Sequence, residues 1–146
     1  MNKSKFLKLL ILILWMGIIF CFSNQPNSGQ VTHDIIEETI TTVKTETFID
    51  IINFIMRKSA HITEYFILTI LFVSLYKEYT NNKNKIIIIS IISCFLYACT
   101  DEIHQLFIIG RTGQFIDVLI DTIGGLLFII PYYIYINKEN SKTTKL

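Results

Sequence analysis

The residues best suited to chemistry lie between positions 94 and 121, in the stretch CFLYACTDEIHQLFIIGRTGQFIDVLID. An acidic pair, a histidine and a glutamine precede a Gly-Arg-Thr-Gly turn there, and two more aspartates follow it within the next apolar run. These ionisable and amide residues are Asp101, Glu102, His104, Gln105, Arg111, Asp117 and Asp121. A charge at the centre of a membrane helix costs about 2.5 to 3.5 kcal/mol to insert, so such residues usually mark a binding site or a pathway. We therefore expect these groups to be paired, to line a hydrated cavity, or to be protonated.

The chain around this stretch has the composition of a membrane protein. It has 146 residues, of which 51% are hydrophobic and 17% are charged, and its mean hydropathy is +0.49. Four apolar runs, at about 6–22, 59–76, 86–109 and 115–136, are each long enough to cross a hydrocarbon core of about 30 Å or nearly so. The sequence predicts an all-α polytopic membrane protein in which residues 1–146 form one domain with four transmembrane helices. The bilayer is then its main partner, and the scattered basic residues favour no nucleic-acid partner.

Most lysines and arginines fall on one side of these four runs, at the amino terminus, in the loop between the second and third runs, and in the tail. Because cytoplasmic segments carry an excess of Lys and Arg, both termini are expected in the cytoplasm. The loop 23–58 then lies outside, with one or two short helices on the membrane surface, and the tail 137–146 is cytoplasmic and disordered.

This topology brings distant ionisable residues into one layer. Steps of three or four residues place Lys58, His61, Glu64 and Tyr65 on one side of the second helix. The start of this helix, the end of the third and the start of the fourth all lie at the outer face. The predicted binding residues are Lys58, His61, Glu64, Tyr65, Asp101, Glu102, His104, Gln105, Arg111, Asp117 and Asp121.

Three roles are open for this layer. In a purely structural network, the aspartates at 101, 117 and 121 would pair with Arg111, Lys58 and His61. Such contacts contribute only about 0.6 kcal/mol each in membranes, so an outward-facing binding pocket is the better interpretation. An enzyme is the third role, with general acid and base groups drawn from His61, Glu64, Asp101 and His104. The spacing shows no nucleophile arrangement, so a binding protein is favoured over an enzyme.

A metal site is an alternative that the residue types permit. Acceptable ligands are His61, Glu64, Asp101, Glu102, His104 and Asp121. The spacing lacks the paired histidines, four residues apart, that would hold zinc on one helix face. We therefore predict no bound metal and no other cofactor, with a divalent metal as the alternative.

Three segments together resemble the VanZ-like family of membrane proteins. They are FSNQ at 22–25, KSAHITEY at 58–65 and YACTDEIHQLFIIGRTGQFIDVLIDTIGG at 97–125. The resemblance implies a small protein of the bacterial inner membrane, and the family's named member is associated with resistance to the glycopeptide teicoplanin. Two positions depart from the family pattern: Ile109 stands where a proline commonly precedes Gly-Arg, and FSNQ replaces the more usual FSSQ.

The resemblance and the charge pattern together lead to one expected function. A charged pocket engages a cell-envelope component, such as a cell-wall precursor, and lowers susceptibility to teicoplanin. Arg57, Lys58 and Arg111 would meet an anionic head group. The alternatives are a hydrolase or transferase that acts on a lipid-linked precursor, and a structural membrane module.

Overall fold

The protein is a bundle of four long helices. The computed structural model describes residues 3–25, 46–111 and 113–143, and those residues contain α1 (Lys3–Ser23), α2 (Glu46–Tyr76), α3 (Lys83–Gln105) and α4 (Phe115–Thr143), with no strand among them. Each helix is long and apolar enough to cross a membrane, by length and composition. The predicted all-α fold with four candidate transmembrane helices is confirmed.

The outside of the bundle is apolar along all four helices. Large side chains such as Leu14, Ile55, Leu96 and Ile130 are exposed. In water such a surface would be costly, whereas lipid accommodates it, and the helices satisfy their backbone hydrogen bonds internally. These features are those of a multi-pass membrane protein.

The second helix is longer than the sequence predicted. It begins at Glu46, inside the predicted outer loop 23–58, and not near residue 59. The apolar block 49–56 joins the next apolar run without a glycine or proline between them, so nothing ends the helix at Arg57 or Lys58. Its 31 residues rise about 46 Å, more than a hydrocarbon core of about 30 Å. The surface helices predicted for the earlier part of the loop fall largely outside the described residues.

Two further boundaries also differ from the prediction. Helix α3 ends at Gln105 and not at 109, because the chain turns: the Ile108 N–H donates to the Gln105 carbonyl at 3.1 Å, and Gly110 has a positive φ of 77°. The apolar residues after Gln105 therefore belong to the turn, where Phe107 and Ile109 are exposed. Helix α4 continues to Thr143, so the predicted disordered tail is helical up to that residue.

Two adjacent glycines allow α4 to pack closely against α2 and α3. A Cβ added at Gly124 would lie 2.6 Å from the Ile62 carbonyl oxygen, and one at Gly125 would lie 2.6 Å from Thr69 Oγ1. Small residues of this kind let membrane helices approach each other closely. Fully buried Tyr65 and Leu68 lie in the core beside these contacts.

The up-and-down arrangement of the helices creates two distinct ends. We call one the cavity end: it comprises residues 22–25, the first half of α2, residues 101–111 and 113–117, and Asp121. The other is the lysine end, which comprises residues 3–8, 76–85 and the last turns of α4. Which end faces the cytoplasm remains a prediction from the lysine distribution.

Candidate functional site

A cavity of about 180 Å³ opens among the helix ends at the cavity end. Helix α2 supplies four of its lining residues, and the others come from α3, the α3–α4 turn and α4. The lining residues are Phe54, Arg57, Lys58, His61, Gln105, Arg111, Gln114 and Asp117. Three of these side chains are cationic, so the cavity concentrates positive charge.

One of the three cations has a carboxylate partner across the cavity. Lys58 Nζ forms an ion pair with Asp117, and the two side chains are 22% and 18% exposed. The same Nζ lies 5.4 Å from the centroid of the Phe54 ring, which adds a cation–π contact. Asp117 stands in the first turn of α4, where the helix dipole favours a negative charge.

Arg111 connects the α3–α4 turn to the end of α1. Its Nη2 donates to the Phe22 carbonyl at 3.0 Å, and its Nε donates to the Gln25 carbonyl at 3.4 Å. The last carbonyls of a helix lack partners within the helix, so this guanidinium caps α1. Burial lowers the pKa of Arg111, and the neighbouring Arg57 acts in the same direction. A guanidinium nevertheless stays protonated in proteins, so the charge persists at neutral pH.

A histidine and two aspartates meet beside the cavity, each from a different helix. His61 Nδ1 lies 3.3 Å from Asp121 Oδ1, and one ligand atom each of His61, Asp101 and Asp121 lies within 4.8 Å of the other two. Asp121 is 1% exposed and Asp101 is 3% exposed. Both Asp121 oxygens, Asp101 Oδ1 and His61 Nδ1 have no hydrogen-bond partner among the described residues. We call these three residues the buried triad.

Gln105 and Glu102 hold the triad and the turn in place. Gln105 Nε2 donates to Asp101 Oδ2 and to Glu102 Oε1, each at 3.2 Å. Glu102 Oε2 accepts from the Gln114 N–H at 2.9 Å. Gly113 is required beside this contact, because an added Cβ would lie 2.3 Å from the Glu102 carbonyl oxygen. One carboxylate oxygen of Glu102 thus secures the turn, and the other accepts from Gln105 within α3.

The family model for VanZ/LLP1 matches residues 8–136. This match includes the cavity end, the buried triad and all four helices in part or whole. The chain belongs to the VanZ/LLP1 family. Neither the curated proteins nor the solved structures contain a match to it. The VanZ-like resemblance of the three sequence segments is therefore confirmed.

His104, a predicted acid or base, does not join the buried triad of this VanZ/LLP1 protein. Its ring centroid lies 4.4 Å from that of Phe20, and its Nε2 lies 3.3 Å from Asn24 Oδ1. Successive residues of a helix are about 100° apart around its axis. Relative to Asp101, His104 therefore lies about 60° to one side, and Gln105 lies about 40° to the other side. Helix α1 packs on the first side. His104 therefore contacts α1, whereas Gln105 contacts the triad.

Two further predicted residues, Glu64 and Tyr65, lie outside the cavity lining. Tyr65 is fully buried, and its ring centroid lies 6.2 Å from that of Tyr97. The half-buried Glu64 accepts a hydrogen bond from Trp15 Nε1 through its backbone carbonyl at 3.0 Å. Both positions join α2 to neighbouring helices.

Sequence reasoning omitted Phe54 and Gln114, which also line the cavity. Phe54 lies one helical turn before Lys58, but it was assigned to a loop. Gln114 follows the second glycine of the turn, and a neutral amide there carried no signal of its own. Extending α2 through the apolar block 49–56 would have placed Phe54 beside Lys58.

Proposed function

We propose that this VanZ/LLP1 protein binds the anionic head group of a lipid-linked cell-envelope component in the cavity. The observation that carries the proposal is the convergence of Arg57, Lys58 and Arg111 on one small cavity. Phosphate and carboxylate groups are the ligands that such a set recognises best.

The state of Arg111 supports an anionic ligand. Its two described hydrogen bonds go to neutral carbonyl oxygens, which do not cancel its charge. Burial lowers the pKa of Arg111, and Arg57 then lowers it further because the two like charges repel each other, while Asp101, Glu102 and Glu64 act in the opposite direction. An anion between them would relieve this repulsion and gain charge-assisted hydrogen bonds.

The size of the cavity favours a head group over an antibiotic. A volume of about 180 Å³ corresponds to roughly six water molecules and lies below the roughly 300 to 1,000 Å³ of pockets for drug-sized ligands. A phosphate or diphosphate is of suitable size, whereas a glycopeptide is far too large. Lower susceptibility to teicoplanin would then follow indirectly, through the envelope component that this protein binds.

A neighbouring groove offers a place for the lipid chain. It has a volume of about 230 Å³ and is lined mainly by apolar residues, including Ile103, Leu106 and Phe115. Gln114 lines both the groove and the cavity. A ligand with a charged head and an apolar chain would fit this pair of adjoining spaces. With both termini on the cytoplasmic side of a bacterial inner membrane, the cavity would open to the outer leaflet.

The proposal is tested by binding of a matched lipid pair. A polyprenyl phosphate and the corresponding polyprenyl alcohol are titrated into the full chain in zwitterionic nanodiscs. We expect the phosphate to bind and Arg111→Gln to weaken it about tenfold, which corresponds to about 1.4 kcal/mol. Lys85→Gln, at the exposed lysine end, is the matched control and should have no effect. Equal binding of the two lipids would overturn the proposal.

The link to antibiotics is tested in cells. Teicoplanin susceptibility is measured with wild type, Asp101→Asn, His104→Ala and Arg111→Ala, each normalised to the amount of membrane-inserted protein. We expect wild type to reduce susceptibility and Arg111→Ala to lose this effect. If wild type leaves susceptibility unchanged, the family membership does not extend to this role.

One observation favours enzymatic activity as a second candidate. His61 lines the cavity and lies 3.3 Å from the buried Asp121, so an acid–base pair would face the bound head group. Such an enzyme would hydrolyse or transfer the phosphoryl group of a lipid-linked precursor. Release of phosphate from a polyprenyl diphosphate, abolished by His61→Ala, would establish it. Binding without any product would leave the binding function alone.

A further inference from the structure

The buried triad combines two carboxylates with one imidazole where the surroundings supply few partners. Asp121 is almost completely buried, and neither of its oxygens has a hydrogen-bond partner among the described residues. Asp101 is buried to a similar degree; Gln105 donates to its Oδ2, and Ser23 of α1 lies near it without a hydrogen bond to Oδ1. His61, 3.3 Å from Asp121, offers at most one positive charge to these two buried carboxylates, an unfavourable arrangement that a divalent cation would relieve.

Lys58 and Arg111 make their described ion pair and hydrogen bonds to groups outside the triad. Lys58 is paired with Asp117, and Arg111 donates to the carbonyls at the end of α1. His61 faces Asp121, but the two atoms do not have the alignment of a hydrogen bond. Their separation of 3.3 Å is instead close to that of two ligands at a tetrahedral angle around an ion with bonds of about 2.0 to 2.1 Å.

We propose that His61, Asp101 and Asp121 bind one divalent transition-metal ion, with Zn²⁺ and Mn²⁺ as the best matches. One imidazole and two carboxylates suit both ions, and their two negative charges balance the charge of the ion. The three ligand atoms lie within 4.8 Å of one another. Bringing all three within bonding distance of one ion requires side-chain shifts of the order of 1 Å.

The surroundings of the triad have the features of a metal site with an open position. Gln105 donates to Asp101 Oδ2 and leaves Oδ1 for the ion, which is how outer residues orient metal ligands. His61 and Gln105 both line the cavity, so the fourth position would face it. Three protein ligands with one open position are typical of metal ions that also bind an exogenous ligand.

Sequence spacing did not predict this site because its ligands come from α2, α3 and α4. The inference stands on the triad alone and does not depend on head-group binding in the cavity. Its test therefore contains no anionic lipid, and its failure would leave the proposed function to be judged separately.

The test uses the full chain in zwitterionic nanodiscs after removal of metals with EDTA. Zn²⁺ and Mn²⁺ are titrated by calorimetry, and the thermal midpoint is measured with and without each ion. We expect one equivalent of at least one of the two ions to bind and to raise the midpoint. Binding of neither ion would overturn the proposal.

Variants of two aspartates provide the matched comparison. Asp121→Asn should weaken binding by more than the roughly 10- to 100-fold effect of losing an outer-shell partner, and Gln105→Ala should fall within that range. Asp50→Asn, at an exposed position of α2 outside the cavity lining, should bind as wild type does. Equal losses in the two aspartate variants would contradict the assignment.

A spectroscopic measurement covers the case in which Asp121→Asn does not fold. Co²⁺ added to wild type should give the visible absorption of a tetrahedral site, and Zn²⁺ should displace it. Asp101→Asn should lose this absorption, whereas Lys85→Gln should keep it. A spectrum of hydrated Co²⁺ with wild type would argue against the triad as a metal site.

Discussion

The two ends of the bundle each contain a lysine–carboxylate ion pair, and the pairs differ in their surroundings. At the lysine end, Lys8 pairs with Glu78, which also accepts a hydrogen bond from Ser4 Oγ at 3.2 Å. At the cavity end, Lys58 pairs with Asp117 beside the buried triad and the Arg111 guanidinium. The first pair joins α1 to the α2–α3 loop, with side chains 32% and 22% exposed, whereas the second helps to enclose a cavity.

The desolvation cost of buried charge is concentrated at the cavity end. Exposed ion pairs contribute little, because water and salt screen them. The cavity end instead collects partly buried charges and places two nearly inaccessible aspartates behind them. Ionisable residues inside membrane spans usually mark a binding site or a pathway, which makes the cavity end the candidate functional end.

The largest expected difference in stability is between alanine substitutions at two glycines, one in the α3–α4 turn and one in α1. Gly113→Ala places a Cβ against the Glu102 carbonyl and Leu106, whereas Gly17→Ala, in α1, meets nothing within 4 Å. We expect Gly113→Ala to cost about 2 to 3 kcal/mol through overpacking and Gly17→Ala to gain up to about 1 kcal/mol in helix propensity. Unfolding by SDS in mixed micelles measures both. Similar stabilities for the two variants would mean that the turn adapts to the extra methyl group.

The two ion pairs can be compared by double-mutant cycles. The cycle of Lys58→Met with Asp117→Asn should give a coupling of about 1 to 2 kcal/mol, because the pair lies between packed helices and beside the buried triad. The cycle of Lys8→Met with Glu78→Gln should give a smaller coupling that decreases further in high salt. Equal couplings would remove the distinction between the two ends.

The shape of Arg111 should matter more than its charge for the stability of the cavity end. Arg111→Lys keeps the charge, but a single ammonium cannot reproduce the planar fork that reaches the Phe22 and Gln25 carbonyls. We expect a loss of about 1 kcal/mol in SDS unfolding. Lys85→Arg, the converse exchange at an exposed position, should be neutral. An unchanged stability for Arg111→Lys would show that the cap on α1 is dispensable.

The smallest effect should be the pH dependence of the lysine end. The hydrogen bond from Lys8 lowers the pKa of Glu78 below 4.5. A carboxyl whose pKa is lower in the folded state stabilises that state above its unfolded pKa, and the contribution is lost as the pH falls through the folded value. Glu78→Gln should therefore weaken the dependence of stability on pH below about 4.5. If the variant and wild type have the same acid profile, this pair contributes nothing measurable.

The outcome at particular residues shows what a local pattern can predict. The ion pair of Lys58 with Asp117 and the approach of His61 to Asp121 were two pairings foreseen for a structural network. They could be foreseen because helix order alone brings those helix ends together. The position of His104 could not, because a displacement of about 60° around α3 decides whether a side chain meets α1 or the triad.

The extent of α2 gives the same lesson for boundaries. Polar Arg57 and Lys58 suggested a membrane surface and hence the end of a helix. The helix instead includes both residues and begins at Glu46. Hydropathy indicates which residues lie within the hydrocarbon core, and a helix can extend beyond that core. Conversely, the apolar residues from Leu106 to Ile109 suggested a longer α3, although they form part of the turn.

The sequence by itself determined the four apolar helices, the family, and the set of ionisable residues that gather at one end. These properties follow from segment length, hydropathy and the order of helices along the chain, all of which are local or nearly so. Only the tertiary structure decided which of those residues line the cavity, which secure the turn, and which three form the buried triad. The physical reason is that contacts between helices depend on their relative rotation and on close packing at glycines such as Gly124 and Gly125.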